Sequence, residues 1–149
     1  MLSLPSQLSL YLLLIIMALY LIPLGYWQLM VLSGKRMGNP DGSADDWHQQ
    51  RTHYGIAFAD LFVACPINIA GIILVFVSPV WGFYSLALVS FWWLWAGVMT
   101  TSTSLRFENP KITLNWFVVF PLGALVGASY IIWTIVHFEL IYATQLAMR

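Results

Sequence analysis

Polar and apolar positions are sharply segregated along the chain. Residues 1–34 carry no charge, 54–105 carry only Asp60, and 112–138 carry none. A bilayer-spanning helix needs about 20 predominantly apolar residues. The first gap therefore predicts one span, near residues 8–32. The second is long enough for two, near 54–78 and 82–103, because Ser78-Pro79-Val80-Trp81-Gly82 punctuates it with proline and glycine. The last predicts a span near 113–142. The expected fold is all-α and integral to the membrane: a bundle of four transmembrane helices forming a single domain over 1–149, with its main loop at 33–53. A β-barrel is excluded, since membrane barrels begin at about eight strands of alternating pattern. The first span lacks a basic leader, and its apolar core exceeds the roughly 7–15 residues of a signal peptide, so it is expected to remain in the mature protein.

Composition agrees. Hydrophobic residues make up 60% of the 149 and charged residues only 8%, against about 45–50% and 25% in soluble domains. Six basic and six acidic residues cancel, which leaves no net field to attract nucleic acid. Cys65 is the sole cysteine, so an internal disulfide and a cysteine-built metal site are both excluded. Lys35, Arg36 and Arg51 fall in the first loop, Arg106 and Lys111 between the third and fourth spans, and only Arg149 on the opposite side. The positive-inside rule then places loops 33–53 and 104–112 in the cytoplasm and both termini outside, as in a bacterial inner-membrane protein.

Asp60 is the most informative position. It lies about seven residues, or roughly 10 Å, inside the expected second helix. A carboxylate there costs about 2.5–3.5 kcal/mol on insertion scales, so it should face the bundle and have a partner or a purpose. His53, Asp60 and Asn68 share one helical face with the small residues Ala57, Ala64 and Gly71. That stripe reads as a packing or cavity face, and a structural hydrogen bond competes with a functional site as its explanation. The main loop contains the turn sequence Gly38-Asn39-Pro40-Asp41-Gly42, and Ser43 or Asp45 is expected to cap a helical lead-in. His48 and His53 are spaced by five, not the four that pairs ligands on a helix. His137, near the outer end of the fourth span, reads with Glu139 as an interfacial anchor. Gly123-x-x-x-Gly127 marks a close helix contact whose partner the sequence leaves open. Trp27, Trp47, Trp81 and Trp116 fit interfacial belts. The mid-span cluster Trp92, Trp93 and Trp95 fits either packing or a wall for a flat ligand.

The segment Gly42-Ser43-Ala44-Asp45-Asp46-Trp47, followed by His53-Tyr54-Gly55-Ile56-Ala57, resembles the corresponding stretch of styrene oxide isomerases. Those are small four-helix membrane proteins with a proline- and glycine-rich first loop and a His-x-Gly-x-Ala start to the second helix. The resemblance implies a haem-b-binding isomerase in which His53 ligates the iron, Ala57 leaves space beside the ring, and Asp60 or Asn68 polarises the reacting group. It implies a small apolar, epoxide-type substrate arriving from the lipid bilayer, opened to an aldehyde by Lewis-acid iron. It also implies a homo-oligomer, a trimer in that family. The chain departs from the family at Ala59, Trp93 and Thr101, where asparagine, aspartate and tyrosine are expected. The alternative is a non-enzymatic carrier, channel or accessory subunit with Asp60 as its intramembrane polar site. A lipid-modifying enzyme using His53, Asp60 and Glu108 lacks any motif.

Overall fold

The computed structural model describes residues 3–36, 44, 46–108 and 110–143. The chain is all-helical, with no strand among the described residues. Three helical paths are long and apolar enough to cross a membrane: Leu4–Leu32, Trp47–Val77 and Pro79–Glu108. Their outward side chains, among them Leu12, Leu19, Phe62, Ile73, Phe91 and Val98, are exposed, as contact with a bilayer requires. This is a membrane protein.

Helix α1 (Leu4–Leu32) starts at Ser3, whose hydroxyl accepts from the Ser6 amide, with a proline in the first turn where no N–H is missed. It ends because Gly34 adopts φ +85, letting Lys35 N donate to Met30 O at 3.1 Å. Helix α2 (Trp47–Ala59) begins about two turns before the expected position 54. Its cap is Asp46, in a reciprocal box with Gln49: each backbone amide donates to the other's side chain at 2.8 Å. The expected caps Ser43 and Asp45, like the turn at 38–42, lie outside the described residues.

The path continues without a break through a wide π-helical turn, Asp60–Ala64, into α3 (Cys65–Val77). Pro66 explains the widening. It has no N–H for the carbonyl of Phe62 and its ring crowds that carbonyl, so Cys65 N donates one residue further back, to Asp60 O.

Ser78 leaves helical geometry (φ −146, ψ 79) because Pro79 follows it, and α4 (Pro79–Thr103) turns back directly. The hairpin is tight enough that a Cβ on Gly82 would collide with the backbone of Val75 and Leu74. Another π-helical turn, Ser104–Glu108, prolongs α4.

The last apolar segment differs from the continuous span expected over 113–142. It is α5 (Leu114–Val119), a turn at Phe120, α6 (Pro121–Val136) and a π-helical segment Glu139–Ala143. Pro121 is the cause, since it cannot donate to the preceding turn. The 16 residues of α6 rise only about 24 Å, short of the roughly 30 Å hydrocarbon core.

The most extensive packing is α4 on α6, then α3 on α4, with α1 across both. Small residues permit it. A Cβ on Gly97 would sit 2.8 Å from Ala124 N, and one on Gly127 would strike the Ser90 carbonyl. The Gly123-x-x-x-Gly127 face is thus occupied inside the chain, by α4 and by Tyr20 of α1. Met17, Tyr20, Leu86, Val89, Trp93 and Tyr130 fill the core between these helices.

Candidate functional site

Asp60 is 3% exposed, at the first position of the π-helical turn. Gln28 Nε2 of α1 donates to its Oδ2 at 2.6 Å, and Trp92 Nε1 of α4 donates to its Oδ1 at 2.6 Å. The expected inward aspect of Asp60 is present, and its partners come from two other helices. Neither partner stood out in the sequence. Gln28 is a polar residue inside an uncharged apolar run, which is the signal that was available. The mid-span tryptophans divide by role: Trp92 holds Asp60, Trp93 is buried edge-on against Tyr20 with ring centroids 5.1 Å apart, and Trp95 faces outward.

Asp60 borders a cavity with two adjoining lobes of about 60 and about 70 Å³. Tyr20, Leu24 and Gln28 of α1, Ile56 of α2, Thr100 of α4, and Val119 and Phe120 at the α5–α6 break line both. The smaller lobe adds Asp60, Trp93, Ala96, Gly97 and Gly123; the larger adds Trp27, Val31, His53 and Val118. The structure therefore brings His53 and Asp60 to one cavity, at different lobes. Two irregular points, the π-helical turn that starts at Asp60 and the turn at Phe120, border it. Such bulges and breaks concentrate at functional sites because they re-aim side chains and free backbone groups.

Asn68 is not part of this cavity. It is fully buried higher along α3, where Nδ2 donates to Met17 O at 3.3 Å and Oδ1 has no partner among the described residues. Ala57 is 0% exposed and lines neither lobe. Its side chain is enclosed, so the open space expected beside it for a ring is absent.

His137 lies at the far end of the bundle. Its Nδ1 is 2.8 Å from Trp133 O, so that nitrogen donates, and Nε2 is hydrogen-bonded with Ser6 Oγ at 3.0 Å. Trp133 Nε1 donates to Ser9 Oγ at 2.8 Å beside it. His137 thus ties α6 to the start of α1, with Glu139 exposed next to it. His48 is exposed. Gln28 and Ser6, the α1 contacts of the two ends, are about 33 Å apart along the helix. His53 and His137 do not meet.

A porphyrin does not fit the cavity. His53 offers one imidazole to a lobe of about 70 Å³, where pockets for larger organic ligands run to roughly 300–1,000 Å³. Among the described residues no group of three His, Cys, Asp or Glu is placed to hold a metal ion. The lobes match water, a small ion or a small polar solute. Comparison with protein-family models, curated proteins and solved structures finds no match.

Proposed function

We propose that this chain is a small non-enzymatic membrane carrier with Asp60 as its intramembrane polar site. The observation that carries this reading is the Asp60 carboxylate, buried yet bordering a cavity that runs from it toward His53. Intramembrane ionisable residues mark ion and solute pathways. Transporters commonly place such sites at discontinuous helices, as at the Phe120–Pro121 break here. In this reading α5 and α6 together form a fourth span. Loops 33–53 and 104–112 face the cytoplasm, and both termini face outward from a bacterial inner membrane.

The test is reaction of the purified protein with an apolar carbodiimide, which adds to carboxyl groups reachable from the bilayer. The reagent adds across the carboxyl O–H, and rearrangement leaves a stable N-acylurea carrying its whole mass. Peptide mass analysis should find the label on Asp60. An unlabelled Asp60 would make it a structural pin and end the carrier reading.

The haem-b isomerase reading has one observation in its favour: His53 lines the cavity. It would require the ring to sit outside the closed bundle, for instance between copies in a homo-oligomer. An absorbance spectrum decides between the two. A Soret band lost in His53→Ala, and kept in His48→Ala and His137→Ala, would displace the carrier.

A further inference from the structure

The Asp60 carboxyl keeps unused hydrogen-bonding capacity. A carboxylate has about four acceptor positions, two on each oxygen. Gln28 Nε2 donates to one on Oδ2 and Trp92 Nε1 to one on Oδ1, so either oxygen can also carry a proton without losing its present bond. In a low-dielectric interior a proton neutralises a carboxylate with no need of a buried counter-ion. Among the described residues, Tyr20 on α1 and Cys65 on α3 are titratable groups within electrostatic reach of Asp60, and His53 on α2 lines the adjoining lobe. From α4 and the α5–α6 break come Trp92, Trp93, Thr100, Val119 and Phe120, none of which titrates.

The cavity can be wet. Its lobes of about 60 and about 70 Å³ each have room for about two waters, at roughly 30 Å³ apiece. Buried water also needs polar partners, and Tyr20, Gln28 and Thr100 border both lobes. The Tyr20 hydroxyl lies against Gly123 of the smaller lobe. The Gln28 amide has a second N–H and a carbonyl oxygen beyond its bond to Asp60. The cavity leads one way. Its larger lobe reaches His53 and, in the last turn of α1, Val31. One turn deeper than Tyr20 and Trp93, Met17 and Val89 are packed in the core.

We propose that the two lobes are a hydrated passage by which Asp60 takes up and releases a proton at the His53 end of the bundle. This names the ion of the carrier reading and rests on it. Along the passage each water receives a proton from its outer neighbour and passes one inward, so charge moves while the waters stay. At Asp60 an O–H bond forms as the innermost water gives up its proton, and release runs the same steps backward. Gln28 and Trp92 are positioning residues that hold the carboxyl at the cavity in both states.

Infrared spectroscopy of the purified protein tests this, with heavy water as the probe. The C=O band of protonated Asp60 is the one missing both from carbodiimide-labelled protein and from Asp60→Asn. It should give way reversibly to carboxylate as pH rises, and it should shift within seconds of mixing into heavy water. Ile56→Phe and Val119→Phe add bulk at residues shared by both lobes, and should slow that shift from seconds to minutes. A shift taking minutes to hours in the unaltered chain, the time of sporadic opening, overturns the passage and leaves the carrier reading standing on the carbodiimide label. A band that pH leaves unchanged, or a shift slowed in neither variant, overturns it too. Failure of the carbodiimide to label Asp60 removes both readings. The pH and heavy-water arms use the unaltered chain, so misfolding of a variant cannot imitate their outcomes.

Discussion

Asp60 is gripped by donors from α1 and α4 at once, so its removal should cost stability as well as any function. Asp60→Leu leaves the Gln28 amide and the Trp92 indole facing an apolar side chain. At about 1–3 kcal/mol for each part-buried donor left unpaired, a loss of about 2–6 kcal/mol is expected. Glu139 is exposed beside His137, so Glu139→Gln should stay within about 0.5 kcal/mol of the parent. Unfolding in mixed micelles compares the two variants directly. Equal tolerance would show that Asp60 is solvated from the surface. At this scale the sequence located the carboxylate, through its isolation in an apolar run, but did not name its partners. Gln28 and Trp92 are each 32 residues from Asp60, and nothing local to any of the three encodes the meeting.

Helix packing turns on small residues whose importance depends on what lies opposite. A methyl group on Gly127 would strike the Ser90 carbonyl of α4, whereas one on Gly25 of α1 meets nothing within 4 Å. Gly127→Ala should therefore destabilise by about 1–3 kcal/mol, the usual range for overpacking. Gly25→Ala should be neutral or gain up to about 1 kcal/mol from helix propensity. Thermal unfolding in detergent measures both, and a destabilising Gly25→Ala beside a neutral Gly127→Ala would refute the α4–α6 contact. The hairpin break at Ser78-Pro79 was legible because proline acts on its immediate neighbours. The earlier start of α2 had a local signature too, Asp46-x-x-Gln49. It was obscured by the polar residues that follow, which do not continue the apolar pattern used to place the span.

For the whole molecule, orientation is the consequence most open to direct measurement. Reporter fusions at Gly42 and Asn109 should report the cytoplasm, and a fusion after Arg149 the outside, if the α5–α6 segment completes a fourth crossing. A C-terminal fusion reporting the cytoplasm would mean an odd number of crossings. That outcome would match the three long apolar helices alone and would leave α6 as a partly inserted helix lining the site. The five basic residues of the two loops pull in one direction in either case.

Membrane residence and the approximate course of three long apolar helices followed from the sequence by itself, because transfer of apolar side chains to lipid is additive along a segment and needs no partner. The special status of Asp60 followed for the same reason, since a charge is costly at that depth whatever surrounds it. Tertiary structure alone decided that His53 and Asp60 share a cavity while Asn68 and Ala57 are packed away from it. It also decided that Gly127 is used within the chain, and that the last span is broken at Pro121 beside the site. Each of these depends on which surfaces meet across helices distant in sequence, and on whether a proline's missing hydrogen bond bends a helix or is absorbed by a wider turn. Pro66 and Pro121 take those two different courses in the same bundle.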